Sequence, residues 1–265
     1  MNTTETIEGI DLDRRRLLGA VTMGIAVAGA ASLSTAQFAA AADENTTRAA
    51  HPTQSQTAAG VTYDKQLTAL LVVDPYNDFI SVGGKIWDRI RVVAEANDCV
   101  PHMLQVLNAA RKAKLRIFYA MHHRYRPGDY ETWRYIAPIQ KAAWKTKSFE
   151  YGTWGGEIRP EFEPQPGEIV ATEHWCSSGF ANTDLDLELK KHGIHQIIVI
   201  GLIAHTCIEA TVRFAAELGY EVTVVKDATA DYSDKEMHAA LDVNLPSYAS
   251  AIVTTNEIVA SISSA

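Results

Sequence analysis

Cysteine is scarce in this chain. Cys99, Cys176 and Cys207 are three in number, which excludes a disulfide framework. Positive charge is also short, with 24 Lys and Arg against 32 Asp and Glu and a net charge of -8. No basic residues cluster on a face, so nucleic acid and anionic membrane are excluded as partners. The glycine-rich phosphate fingerprint is missing too: Gly201-Leu202-Ile203 lacks the second and third glycines, and nucleotide binding has little support. There is no internal repeat. What remains is ordinary globular material, 47% hydrophobic and 21% charged over 265 residues, enough for one good core.

The amino-terminal 42 residues read as a signal peptide. Arg14-Arg15-Arg16-Leu17-Leu18 precedes a weakly apolar run from Gly19 to Leu33, and Ala40-Ala41-Ala42 offers a small-residue cleavage site before Asp43. Consecutive arginines ahead of a modest apolar run favour the twin-arginine route, so the expected location is periplasmic or secreted. That run is short and Ala-rich for a retained membrane anchor, and no membrane is expected for the mature form. Cleavage removes four acids and three arginines, leaving a charge of -7. Residues 43–66 are polar and aperiodic and read as a flexible linker, followed by one domain over 67–265.

Within that domain strands alternate with helical stretches. Leu67–Asp74, Leu115–Ala120, Glu168–Thr172, Gln196–Ile200, Glu221–Lys226 and Ala251–Thr254 read as strands, and the patterns between them as helices, one running from about Ile86 to Lys112 with a break near Pro101. Such alternation predicts βαβ units and a parallel, three-layer α/β sheet. Ligands of these sheets sit beyond the carboxyl ends of the strands. The long connection from Met121 to Pro166 carries several Trp and Tyr and no clear period.

The organising stretch is QIIVIGLIAHTCIEATVR, Gln196–Arg213. A buried strand ends at Gly201, Thr206 and Glu209 fit a capping box, and Ile208, Val212, Ala215 and Ala216 form an apolar helical stripe. Cys207 then lies at a helix start, where backbone amides and the dipole favour a thiolate. On this stretch alone a buried small hydrophobe is an equal reading. Asp74 also falls at a strand carboxyl end, which tips Cys207 towards chemistry. Asp74 itself reads as the proton acceptor, or as an acid capping the following turn.

Four blocks in order, LLVVDPYNDF, SSGFANTDLD, IGLIAHTCIEATVRFA and VVKDATAD, resemble the isochorismatase-like cysteine hydrolases, which include nicotinamidases and the carbamoylsarcosine and ureidoacrylate amidohydrolases. The resemblance covers roughly Leu67 to Ile262. It implies a six-stranded parallel sheet with Asp74 as catalytic acid and Cys207 as nucleophile. It further implies a non-prolyl cis peptide at Ile203–Ala204, with the amides of Ile203 or Ala204 and of Cys207 as oxyanion donors. Assembly into a homo-oligomer through helices flanking the sheet is also implied.

One departure stands out. The family carries a Lys shortly before the SSGF-like block, and here Thr172-Glu173-His174-Trp175 holds none. Glu173 is placed at that position, facing Asp74 and sharing a proton with it, so that activity falls as pH rises. His174 is expected to point to the opposite face, and His205 is the better-placed cation. Nicotinamidases bind a metal after the second strand. The corresponding run MHHRYRPGDYETW offers His122, His123 and Asp129 at a spacing that makes a poor ligand set, so no metal and no cofactor are expected and the histidines read as loop residues on a solvated edge. Phe79, Trp175 and His205 are the expected substrate contacts, with Tyr76, Trp133 and Trp154 adding to a partly aromatic pocket. The function expected is hydrolysis of an amide or related C–N bond in a small molecule. The alternatives are a non-hydrolytic binding protein on the same scaffold and isochorismatase-type ether hydrolysis, the latter disfavoured by the presence of Cys207.

Overall fold

The computed structural model describes residues 61–264. The expected signal peptide and most of the linker lie outside them. The linker was expected to reach Gln66, but the chain joins the fold sooner. Tyr63 is buried and its hydroxyl lies 3.0 Å from that of Thr223, while Gln196 Nε2 donates to the Thr62 carbonyl.

Six strands form one parallel sheet: β1 Thr68–Val73, β2 Arg116–Ala120, β3 Ile169–Val170, β4 Gln196–Gly201, β5 Glu221–Val225 and β6 Ala251–Val253. Their order is β3-β2-β1-β4-β5-β6. β1 and β4, the two central strands, are buried almost throughout, as expected of continuous apolar runs covered on both sides. Connections from β1 step outwards in one direction and those from β4 in the other. Right-handed crossovers running in opposite directions place helices on opposite faces, which gives the three layers. The order reverses between β1 and β4, and a crevice opens there beyond the carboxyl ends of both strands.

The helices that matter for the site are α1 Asn77–Ile80, α2 Trp87–Ala96, α3 Cys99–Ala113, α4 Pro138–Thr146, α5 Leu185–Lys191, α6 Glu209–Glu217, α7 Asp234–His238 and α8 Thr255–Ser264. The break in the long second helical stretch falls at Asn97–Asp98, with Asp98 at φ 49°, and Pro101 sits in the first turn of α3, where its missing N–H costs nothing. α3 packs on α8. Among the described residues no helix is long and apolar enough to cross a membrane.

Gly201 ends β4 at φ 125°, and a Cβ there would collide with the backbone of Val73 on β1. The close approach holds the two strand tips together, and only glycine permits it. Beyond it a π-helical turn, Ala204–Ile208, leads into α6. Thr206 therefore lies inside the helical run rather than capping it, and the Glu209 carboxylate accepts from Arg213 and Asn244 instead of reaching back. The expected capping box is absent because the extra residue of the π turn displaces its geometry. Ser233 with Glu236 three residues on also fits a capping box in the sequence. Ser233 does cap α7, but it takes the Lys235 amide and bonds to Glu236 through its hydroxyl, so the reciprocal box is not made.

Candidate active site

Asp74 ends β1 with φ 55°, its amide donating to the Ala120 carbonyl of β2. That kink turns the carboxylate into the crevice, where it is wholly buried. Oδ1 accepts from the His122 amide at 2.5 Å and lies 3.3 Å from His174 Nε2. Oδ2 has no N–H or O–H partner. Cys207 faces the same carboxylate from the start of α6, and the acting atoms of Asp74, His174 and Cys207 all lie within 4.8 Å of one another. All three side chains are buried.

His174 reaches this place because pairing continues past β3. Its amide donates to the Met121 carbonyl, its own carbonyl accepts from His123, and it bridges in parallel to His122. Alternation along that extended segment sends Glu173 to one face and His174 to the other. The sequence expectation had the alternation right and its origin one residue off. His174 Nδ1 lies 3.2 Å from the Cys176 carbonyl, an acceptor only, so Nδ1 carries a hydrogen and Nε2 is the nitrogen presented to Asp74.

Glu173 therefore does not face the site. Its carboxylate accepts from Arg124 Nε at 2.7 Å and from the Arg124 amide at 3.1 Å, and lies 3.2 Å from His123 Nδ1. Burial raises its pKa, but the hydrogen bonds from His123 and from the Arg124 amide and guanidinium outweigh this and bring it down to about 2. It is an ionised structural acid that shares no proton with Asp74.

The thiol of Cys207 is held neutral. Burial, then the charge of Asp74, then hydrogen bonding to that carboxylate push its pKa well up, against smaller opposing pulls from Thr206 and the Ile203 amide. The helix-start amides alone do not win here, because the sulfur is buried beside an anion. The Ala204 N–H is spent on the Ala230 carbonyl at 3.0 Å, which removes it as an oxyanion donor. The cis peptide joins Leu202 and Ile203, one bond before the expected Ile203–Ala204. The Leu202 amide bonds to Val73 and that of Ala204 to Ala230, so the strand-end pairing fixes the turn one residue earlier.

A cavity of about 130 Å³ opens above Cys207. Phe79, Ile86, Ile139, Phe149, Ile203 and Tyr232 give it apolar walls, and Lys85 and Arg89 stand among its lining residues. Among the described residues, no Asp or Glu lines it. Arg89 lies 4.0 Å above the ring of Tyr232. Phe79, an expected substrate contact, lines this cavity. Trp175 does not: it stacks on His123 at 3.6 Å, beside Trp133 and Tyr130. His205 turns to Asp231, with Nδ1 2.7 Å from Oδ1, and this pairing raises its pKa. Tyr76 is buried and donates to the His122 carbonyl, while Trp133 and Trp154 are exposed. A larger groove between Lys65, Arg116 and Gly167 lies near the amino ends of β1–β3, on the far side of the sheet from these groups.

The two adjacent histidines are not on a solvated edge. His122 is buried, lines the cavity and donates through Nδ1 to the His123 carbonyl; burial and then His174 lower its pKa to about 4, so it is neutral. His123 bridges Asp129 at 2.8 Å and Glu173 at 3.2 Å. Its two nitrogens point to different carboxylates, which does not make a chelating set with Asp129. Besides His174, the sequence reading missed Arg89, Phe149 and Tyr232. Only the alternation along β3 carried a signal for the first; the other three come from separate loops and helices.

The isochorismatase domain model matches residues 68–257. The chain belongs to the isochorismatase family. Isochorismatase-family relatives include the ureidoacrylate amidohydrolase RutB of Rhizobium rhizogenes, 26% identical over 215 residues that span 77% of this chain and 87% of that protein. The RutB of Pantoea ananatis is 29% identical over 177 residues, 63% of this chain and 70% of its own length. Among solved structures, a cysteine hydrolase from Pseudomonas syringae pv. phaseolicola superposes with a TM-score of 0.66 at 23% identity, covering 77% of this chain and 96% of that one. The N-carbamoylsarcosine amidase of Thermoplasma acidophilum gives 0.56 at 27% identity, covering 71% and 96%. The six-stranded parallel sheet is the isochorismatase-like α/β fold, and the protein is a hydrolase of that family acting on a small molecule.

Proposed function

We propose that this hydrolase cleaves an amide or ureido C–N bond through Cys207, with Asp74 and His174 handling the proton. The supporting observation is the buried trio at the switch point, with its acting atoms within 4.8 Å of one another beneath a cavity. Sγ attacks the carbonyl carbon as the thiol proton passes to the Asp74–His174 pair. Charge developing on the carbonyl oxygen is met by the Ile203 N–H. The pair then returns its proton to the leaving nitrogen, and the C–N bond breaks to give an acyl-thioester. Water, deprotonated by the same pair, hydrolyses that thioester and restores the thiol. Relatives named for amide and ureido substrates support the bond class. On this reading His174, rather than Glu173, stands in for the Lys that the family resemblance implies.

The test is hydrolysis of a panel of ureido acids, carbamoyl amines and simple amides by the wild-type protein and by Cys207→Ala. Turnover of at least one compound that vanishes in the variant supports the reading; equal turnover by both, or none by either across the panel, sinks it. Export by the twin-arginine route is part of the same proposal, motivated by Arg14–Arg16 and the Ala-rich run after them. Replacing the three arginines by lysine should leave precursor in the cytoplasm. A homo-oligomer of the mature chain remains an expectation from the family resemblance, to be checked by sedimentation.

A further inference from the structure

A lysine ammonium cannot ligate a metal, but an imidazole can. With His174 beside Asp74 and Cys207, three metal-ligand types, carboxylate, imidazole and thiol, stand in one buried cluster. One edge of the cluster already has the length that a tetrahedral ion needs, and the ion would draw in the rest of the trio, whose acting atoms lie within 4.8 Å of one another. Ligands about 2.0 Å from Zn²⁺ stand about 3.3 Å apart along a tetrahedral edge, and His174 Nε2 is 3.3 Å from Asp74 Oδ1. His174 Nε2 is a buried polar atom with no hydrogen-bond partner, and so is the second carboxylate oxygen of Asp74, Oδ2. His174 already has the outer-shell contact of a ligating histidine, with Nδ1–H directed to the Cys176 carbonyl. Cys207 lines the cavity, which provides an entry path to the trio.

We propose that Asp74, His174 and Cys207 bind a soft divalent ion of the Zn²⁺ class, which silences the nucleophile. The ion takes the lone pairs of Nε2, a carboxylate oxygen and Sγ. The S–H bond breaks, a metal–thiolate bond forms and the proton leaves to solvent; nothing is oxidised or reduced. A sulfur held this way no longer attacks a carbonyl, so loss of the ion restores the enzyme. The His123, Asp129 and Glu173 group is the rival location, and its nitrogens face different acids.

Cobalt(II) serves as the probe, added to the reduced full chain. Wild type should take up one ion, with the sulfur-to-cobalt charge-transfer band and the intense visible bands of four-coordination, all removed by Zn²⁺. Cys207→Ser should lose the charge-transfer band. His174→Lys, which places an ammonium beside Asp74 and removes the imidazole ligand, should bind about tenfold or more weakly. Glu173→Gln should bind like wild type. The proposal is overturned if wild type shows no charge-transfer band, if His174→Lys binds unchanged, or if Glu173→Gln abolishes binding. The spectra need no turnover, so this inference and the hydrolase reading can fail separately.

Discussion

His174 Nε2 lies 3.3 Å from Asp74 Oδ1, and neither side chain has any exposure to solvent. A buried carboxylate without a partner is costly, so the imidazole is as much a structural requirement as a chemical one. Replacing His174 by Ala leaves Asp74 in the interior with the His122 amide and a weak thiol donor. Stability should drop by about 3–5 kcal/mol, and turnover should be lost. His174→Lys supplies a cation to the same carboxylate and should recover most of the melting temperature and part of the activity. Thermal melts of both variants, with kcat on a confirmed substrate, check this. Indistinguishable melting temperatures for wild type and His174→Ala would remove the pairing argument.

Cys207 should react slowly with iodoacetamide near neutrality, despite its position at a helix start. Burial and Asp74 raise its pKa, so the neutral thiol dominates below that raised value and the thiolate grows only as pH climbs. Peptide mapping of alkylated protein from pH 6 to 10 should show modification of Cys207 rising throughout, with no plateau near 7. A plateau at neutral pH would mean a preformed thiolate. Cys207→Ser should lower kcat by about a thousandfold or more with the melting temperature unchanged.

The Glu173–His123 pair sets a pH window for stability rather than for catalysis. Glu173 is depressed, so its contribution is present above about pH 4.5 and fades as pH falls towards about 2. For His123 burial lowers the pKa, but hydrogen bonds to Glu173 and Asp129 outweigh it and raise the value above the usual 6.5. Its contribution is full below 6.5 and fades as pH climbs through the raised value. The melting-temperature gap between wild type and Glu173→Gln should therefore be widest between about pH 4.5 and 6.5. kcat should differ little between the two. A gap that widens steadily from pH 5 to 9 would contradict the pairing.

Arg89 lies over the Tyr232 ring and stands among the residues lining a cavity to which, among the described residues, no Asp or Glu contributes. For a matched neutral and carboxylate-bearing substrate pair, Arg89→Ala should raise KM for the anion by about tenfold and leave the neutral compound alone. kcat should be unchanged for both. Equal effects on the two substrates would show a packing role on Tyr232 instead.

The sequence by itself determined the layers, the strands and the placement past strand tips of two of the three residues in the buried cluster. Continuous apolar runs such as Leu70–Val73 and Ile197–Ile200 can only be strands buried on both faces, and their spacing leaves room for crossover helices. Asp74 follows the first run directly and Cys207 opens the turn beyond the second, so their place past the strand tips was readable without knowing the pairing. The third site residue was not. Glu173 and His174 are neighbours on a segment whose short strand, Ile169–Val170, gives almost no pattern from which to count faces. The Met121 carbonyl accepting from the His174 amide fixes that register, and it belongs to a strand fifty residues away in the chain. A shift of one residue exchanges an acid for an imidazole. The thiol was misjudged for a related reason. Helix-start amides are a local feature, whereas the burial and the Asp74 charge that outweigh them exist only once β1 and β4 lie side by side.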